Sequence, residues 1–396
     1  MNISLRQATR LSALAAACVL ITTVTHAFEF GGYFRAGPGL TKSGASRACY
    51  NLPGAGQHWR LGNECDFYGE FGLSQSFNAG GVDYKAMVMP TVYSPATDVS
   101  GVSARKLDIA QMYIEGKGYD VAPETIFWAG KRYYGRQDVH IVDVQFTDLS
   151  GVGAGFITPV RQSRLGLSYS KTDTTSTDSG NRFNIDLFDI PANEGGKLRF
   201  VGTYTDGRFA GGHKGVGLMG MHYQKDLIAG GNNILWVQYA QGSAGLNGNF
   251  GTLTADSNTK GLRILDAITW LSGPLSGQAL ALWEKDKAPD ALGVVRRQTN
   301  TSIGGRLGYA LTRNFKLLGE LGHSTIKPEG GAAQTLTKFT FAPALTVGPN
   351  FYDRPEFRLY VTHARWNSAA GNVTGQPAFA GNTSGTSIGA QVDVAF

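Results

Sequence analysis

Cysteine and long apolar runs are scarce in this sequence of 396 residues, which contains three cysteines. After the first thirty residues, no stretch approaches the roughly 18 uncharged apolar residues that a membrane-spanning helix needs. This absence excludes a helical membrane protein. Charged residues make up 17% of the chain, and the basic ones are interleaved with acidic ones rather than grouped in runs. We therefore expect no nucleic-acid partner.

Sequence motifs of common enzymes are also missing. The chain has no Gly-x-Ser-x-Gly elbow, no His-Glu-x-x-His pair and no P-loop. The glycines within 151–155 lack the strand-to-helix context of a dinucleotide site. We therefore expect no catalysis and no cofactor.

Glycine, by contrast, is abundant, with 54 residues spread along the chain. Because glycine is a poor helix former and Thr, Tyr, Phe and Val are frequent, the composition favours short strands and tight turns. No Pro-rich or Ser-rich linker and no charge block divides the chain. We therefore expect a single all-β domain over 28–396.

Residues 1–27 have the pattern of a secretory signal peptide. Arg6 and Arg10 precede an uncharged apolar stretch, and a small-residue cleavage site ends at Ala27. A lipoprotein signal with a lipidated Cys18 is the alternative. We expect export and cleavage after Ala27.

Two cysteines, Cys49 and Cys65, follow the leader. An even number of cysteines in an exported protein indicates a disulfide. The bond would close a loop of about 15 residues and stabilise the fold by about 3 kcal/mol.

Several segments alternate between apolar and polar residues, as amphipathic β-strands do. A soluble sandwich also alternates, but a membrane barrel turns its apolar face to lipid and its charged face to a wet lumen. The leader and the high glycine and tyrosine content favour the barrel. The alternating segments are 28–35, 66–77, 197–205, 233–239, 357–366 and 387–396.

The length limits the number of strands in such a barrel. Removing the leader leaves 396 minus 27, or 369, residues. Eighteen strands of about 11 residues would use roughly 200 of them and leave connections of about 10 residues. Sixteen strands fit as well. The alternating last segment ends on Phe396, which resembles the final strand of bacterial outer-membrane barrels.

Charges of both signs are concentrated at 128–155. Three hypotheses remain open for this segment: a metal site formed by Asp138, His140 and Asp143, a solvated surface loop, or a loop folded into the lumen as a polar constriction. The charged and imidazole side chains are Lys131, Arg132, Arg136, Asp138, His140, Asp143 and Asp148.

The sequence resembles the maltoporins, sugar-specific trimeric porins of the Gram-negative outer membrane. The resemblance is strongest in FGGYFRAG at 30–37, WRLGNECDFYGE at 59–70, LWVQYA at 235–240 and the segment 128–155. It implies an 18-stranded barrel with the third external loop folded into the lumen, and a homotrimer. Saccharides would be the substrates, since pyranose rings stack on aromatic faces and their hydroxyls need hydrogen-bond partners.

The resemblance also implies roles for individual residues. Tyr33 and Tyr68 carry over to the aromatic track, and Cys49 with Cys65 to the loop disulfide. Gln145 stands in the constriction where the family's principal members have a tyrosine. Eight residues carry over to the polar tracks and the constriction: Arg35, Arg60, Glu70, Arg136, Asp138, His140, Asp143 and Asp148.

Other departures from the family concern aromatic positions. Ala395 replaces the penultimate aromatic residue, and Thr147 and Asn232 stand where the family has aromatics. A polar-track arginine aligns with Ala110. The sequence therefore predicts a passive porin for short or non-maltodextrin sugars, without a metal. The alternatives are a general diffusion porin, an adhesin or receptor barrel, and an outer-membrane hydrolase.

Overall fold

The computed structural model describes residues 28–42, 47–95, 106–172, 179–228, 230–289 and 295–396. The predicted signal peptide lies outside these residues. No helix in the described part of the chain is long and apolar enough to span a bilayer.

Eighteen antiparallel strands form a closed barrel, with one short extra strand, as the sequence predicts. The first strand, β1, closes the barrel by pairing with both β3 and the last strand, β21. Tyr33 therefore lies opposite Glu70 on one side and Ala395 on the other. The strands of this sheet are β1 (Glu29–Ala36), its short continuation β2 (Gly39–Thr41), β3 (Asp66–Ala79), β4 (Val82–Pro95), β5 (Lys106–Tyr119), β6 (Ala122–Arg132), β9 (Gly151–Val160), β10 (Ser163–Lys171), β11 (Gly180–Pro191), β12 (Gly196–Gly207), β13 (Gly215–Lys225), β14 (Asn232–Gly242), β15 (Lys260–Ser272), β16 (Leu275–Pro289), β17 (Val295–Thr312), β18 (Phe315–Pro328), β19 (Gln334–Thr346), β20 (Glu356–Trp366) and β21 (Ser384–Ala395).

Long connections lie at one end of the barrel and mostly short turns at the other. Two-residue turns include 80–81, 161–162 and 273–274. Outer-membrane barrels have short periplasmic turns and longer extracellular loops. The end with the short turns, where β1 begins and β21 ends, is therefore the periplasmic end.

Of the connections that the structure describes, three that fold into the lumen form the candidate site. Loop 1, which the structure describes over 47–65, joins β2 to β3, and loop 3 (133–150) joins β6 to β9. Loop 3 contains a small hairpin of β7 (Gln137–Val139) and β8 (Val144–Thr147). The third is the inward turn (347–355), which joins β19 to β20 at the periplasmic end.

Side chains alternate along each barrel strand between an apolar outer wall and a polar lumen. On β19, Phe339 is 50% exposed on the outside, whereas its neighbour Lys338 is 1% exposed inside. On β20, Leu359 faces outward and Arg358 is buried. Because the side-chain period is two, a register slip of one residue would place these charges in lipid.

Candidate functional site

Loop 3 is fixed to the barrel wall by its apolar side chains. Trp236 of β14 and Leu265 of β15 are among the wall residues they contact. The buried loop residues are Val139, Ile141, Val142, Phe146 and Leu149. A solvated surface loop is therefore excluded, and the predicted inward fold of loop 3 is confirmed.

Hydrogen bonds fix the backbone of the same loop. Trp236 Nε1 donates to Thr147 Oγ1 at 3.1 Å, and Gln238 Nε2 donates to the carbonyl of Phe146 at 2.6 Å. The amide of Ile141 donates to Gln278 Oε1 at 3.0 Å. Thr147 therefore faces the wall, so its small size leaves the channel lining unchanged.

Loop 1 is fastened to the neighbouring part of the wall, at β17 and β18, by Trp59. Its indole lies over Gly304 and Gly322, and its Nε1 donates to Ser324 Oγ at 3.3 Å. A side-chain carbon at Gly322 would overlap the indole ring, and one at Gly304 would lie 2.7 Å from it. These glycines make the notch that holds loop 1, and with it the adjacent Arg60, inside the barrel.

A disulfide joins the two arms of loop 1. Cys49 and Cys65 are bonded, with their Cα atoms 5.9 Å apart. The pair the sequence predicts is thus present in the structure. Cys65 lies between Glu64 and Asp66 in the sequence, and both carboxylates accept hydrogen bonds from Arg35.

Arg35 connects three parts of the molecule. Its Nη1 lies 2.9 Å from both Glu64 Oε1 of loop 1 and Asp143 Oδ2 of loop 3. Its Nε and Nη2 donate to the carboxylate of Asp66 at 2.8 and 2.7 Å. Arg60 also pairs with Glu64 and donates to the Tyr33 hydroxyl. The first strand, loop 1 and loop 3 therefore form one ion-paired unit.

His140 lies between two guanidinium groups. Arg60 Nη1 is 2.9 Å from His140 Nδ1, and Arg354 Nη2 of the inward turn is 3.0 Å from His140 Nε2. Burial, and then the charges of Arg60 and Arg354, hold the pKa of His140 well below its usual value. Burial opposes ionisation of Asp143, but Arg60 and Arg35 outweigh it and lower the pKa of Asp143.

This setting does not suit a metal ion. No group of three His, Cys, Asp or Glu side chains within the described ranges could hold a metal. The two arginines beside His140 would also repel a cation.

The inward turn adds aromatic residues that the sequence analysis missed. The rings of Phe351 and Tyr352 each lie 5.8 Å from the His140 ring, centroid to centroid. The Tyr352 hydroxyl accepts a hydrogen bond of 3.1 Å from Gln278 Nε2. One available signal was the length of this connection, nine residues at an end where two-residue turns are common.

Tyrosine rings lie along another part of the lumen. The rings of Tyr33 and Tyr68 are 6.3 Å apart, and the Tyr68 hydroxyl donates to Glu70 Oε2 at 2.8 Å. In loop 3, the Arg136 guanidinium lies 4.0 Å from the centre of the Tyr133 ring. Aromatic faces and charged groups thus occur side by side.

Nine of the eleven predicted site residues line one cavity of about 570 Å³. Asp138 and Asp148 do not line it, and Asp148 Oδ1 instead accepts a hydrogen bond from the Ser150 amide. Three further lining residues are Tyr352, Arg354 and Ala395. The nine are Tyr33, Arg35, Arg60, Tyr68, Glu70, Arg136, His140, Asp143 and Gln145.

Solved structures with a similar fold include three bacterial proteins. OccAB1 of Acinetobacter baumannii is 9% identical, with a TM-score of 0.54 over 93% of this chain and 96% of that one. OccD3 (OpdP) of Pseudomonas aeruginosa is 9% identical, with a TM-score of 0.52 over 95% and 92%. OpdQ of Pseudomonas aeruginosa is 8% identical, with a TM-score of 0.51 over 94% and 99%. At these identities the similarity shows the fold alone.

The family comparison covers the whole barrel. The LamB porin family matches residues 28–396. This is the same segment that the sequence analysis assigns to a single β-domain, and the match agrees with the resemblance to the maltoporins. The chain therefore belongs to the LamB porin family, and its barrel is that of a bacterial outer-membrane porin.

Proposed function

We propose that this porin is a passive channel for short saccharides and carries out no catalytic step. The observation that carries the proposal is the cavity between loop 1, loop 3 and the inward turn. Tyrosine rings, arginine guanidinium groups and carboxylates all face this one cavity. Its volume of about 570 Å³ is in the range of small-ligand sites.

The polar lining suits a solute with many hydroxyls. A sugar hydroxyl both donates and accepts, and an unpaired one inside a channel costs free energy. Arg136 offers N–H donors, and Glu70 and Asp143 offer acceptors. Because charges of both signs are present, a neutral sugar can exchange partners as it moves.

The aromatic lining suits the apolar faces of sugar rings. Tyr33 and Tyr68 provide two rings 6.3 Å apart, and Tyr352 provides a third in the same cavity. Ala395 and Gln145 also line it and offer no ring. We therefore expect weak binding of long maltodextrins and a preference for mono- or disaccharides.

Single-channel recording in planar bilayers tests this proposal. A saccharide channel should pass an ion current that millimolar disaccharide blocks. Replacing Tyr68 by Ala should weaken the block about fivefold, since one stacking contact contributes about 1 kcal/mol. Tyr309→Ala, which removes a tyrosine from the outer wall, is the matched control and should change nothing.

Two other outcomes would contradict the proposal. A purified protein that forms no conducting channel would exclude a saccharide channel. Current that no saccharide blocks would favour a general diffusion porin.

We further propose that the leader at 1–27 exports the chain and that the porin forms a homotrimer, as the resemblance to the maltoporins implies. An SDS-resistant species near three times the monomer mass would support the trimer. A monomer in mild detergent, measured by light scattering, would contradict it.

A further inference from the structure

A second large cavity lies at the periplasmic exit of the barrel. It has a volume of about 760 Å³ and is formed by the ends of β9 to β13 and the turns between them. Lys197 lies on the face of β12 that also carries Val201, and Tyr223 on the face of β13 that carries Met219. Because Val201 and Met219 pack in the core beneath loop 3, the cavity opens toward the lumen.

Basic side chains dominate this exit cavity. Four cations, Arg161, Arg164, Lys197 and Lys225, line it against one carboxylate, Asp189, giving a formal charge of +3. Asp189 is already bound, since it accepts hydrogen bonds from both Arg164 and Lys197. The charge of Asp189 is thus shared, and the excess positive charge faces the space through which a solute leaves.

Two of these cations, Arg161 and Lys225, have charged groups that could bind a ligand. Within the part of the chain that the structure describes, the guanidinium of Arg161 makes no hydrogen bond or ion pair, and Arg161 is exposed. Lys225 has its carboxylate neighbour Asp226 at 3.7 Å, beyond hydrogen-bond length. Both groups could therefore bind an anion without breaking a strong internal contact.

Arg161 has a backbone conformation that favours glycine. Arg161 is the first residue of a two-residue turn and has φ of 56°. The corresponding residues of two other turns at this end, Gly80 and Gly273, have φ of 62° and 57°. Glycine adopts this left-handed conformation without strain and arginine does not. Strained residues of this kind concentrate at functional sites.

Aromatic rings accompany the charges. Tyr223 lines the cavity, and Phe188 lies below the Arg164 guanidinium, 4.5 Å from it. Arg199, next to Phe188, pairs with Asp186 and donates to the carbonyl of Gly135 in loop 3 at 3.1 Å. The exit cavity is thus connected to the loop that forms the saccharide site.

We infer that the exit cavity binds sugars that carry a carboxylate or phosphate group, with Arg161 and Lys225 contacting the anion and Tyr223 beside the ring. The inference rests on the proposed saccharide channel and adds an acidic substrate class to it. An acidic sugar that passes the mixed-charge cavity would be held at the exit by this excess of cations.

The test compares acidic and neutral sugars in single-channel recordings at 0.1 M KCl, where surface charge is only partly screened. Glucuronate and glucose 6-phosphate are the acidic probes, and maltotriose is the neutral one. In the Arg161→Gly, Lys225→Gln double variant, the half-blocking concentration of both acidic probes added from the periplasmic side should rise about fivefold per charge removed, the upper range for an exposed pair. Anion preference, measured as the reversal potential in a KCl gradient, should fall in parallel.

The controls separate this site from the proposed saccharide site. Glycine suits the turn at Arg161, so the double variant should fold, and its block by maltotriose should be unchanged. Arg313→Gly removes an exposed arginine from another two-residue periplasmic turn and should leave all values unchanged.

Unchanged block by both acidic probes in the double variant would overturn the inference, as would an equal loss of block by maltotriose. Block by glucuronate alone would assign the site to carboxylates, and block by glucose 6-phosphate alone to phosphates. A wild-type channel blocked by acidic probes but by no neutral sugar would contradict only the proposed function.

Discussion

Restoring aromatic surface to the channel should convert a weak maltodextrin binder into a strong one. Ala395 lies opposite Tyr33 in the closing strand pair, and Gln145 lines the same cavity from loop 3. The variant Ala395→Trp, Gln145→Tyr places a ring on each side of the passage. Tyr33, Tyr68 and Tyr352 already line the cavity, so the variant would add two rings to these three.

The expected gain follows from the number of new stacking contacts. Each contributes about 1 kcal/mol, and two contribute about 2 kcal/mol, which corresponds to about 30-fold tighter binding of maltohexaose. Ion conductance should fall because both side chains enlarge within a cavity of about 570 Å³. The affinity for short sugars should rise less, since a single sugar ring cannot stack on several aromatic side chains at once.

Maltohexaose block of single-channel current measures this effect. Ala281→Trp is the control, because it adds the same side chain to the outer wall, where Ala281 is exposed. Micromolar binding of maltohexaose by the unmodified protein, or no tighter binding by the double variant, would refute the reasoning. Other aromatic residues would then form the track.

Three further results are expected. Gly322→Val should lower the free energy of unfolding in urea by about 1–3 kcal/mol, because the new side chain overlaps the indole of Trp59. Gly319→Val, with open space around it, should lower it less. Equal losses would show that Gly322 does not hold Trp59. Thiol labelling of the unreduced, denatured protein should find Cys49 and Cys65 blocked, and quantitative labelling would exclude the disulfide. The pKa of His140 is held well below its usual value, so His140 should stay neutral and should cause no change in the reversal potential between pH 8 and 6. A transition near pH 6.5 that is lost in His140→Gln would contradict this.

The fold was largely predictable because its strands are short, regular and amphipathic. The alternation at 28–35 places Tyr33 and Arg35 in the lumen, where the structure has them. Chain length alone did not decide between 16 and 18 strands, since both fit it, but the resemblance to the maltoporins implied 18, and this is confirmed. Barrel closure depends on register between β1 and β21, which lie at opposite ends of the sequence.

The channel lining was predictable only in part. The motifs of the family located most of it, but Asp138 and Asp148 lie outside the cavity. Asp148 shows the reason, since its carboxylate caps the nearby Ser150 amide, and sequence does not separate such local contacts from channel contacts. The inward turn was missed because Arg354 meets His140 across 214 positions of sequence.

The anchoring of loop 1 has a consequence for how the porin is assembled. Trp59 reaches Ser324 across 265 positions of sequence, and bringing such distant residues together carries a large loop-closure entropy. Loop 1 therefore has nowhere to dock until β17 and β18 stand in the wall. The passage therefore narrows only after the strands that hold Trp59 have assembled, and a barrel without this contact would keep a wider opening.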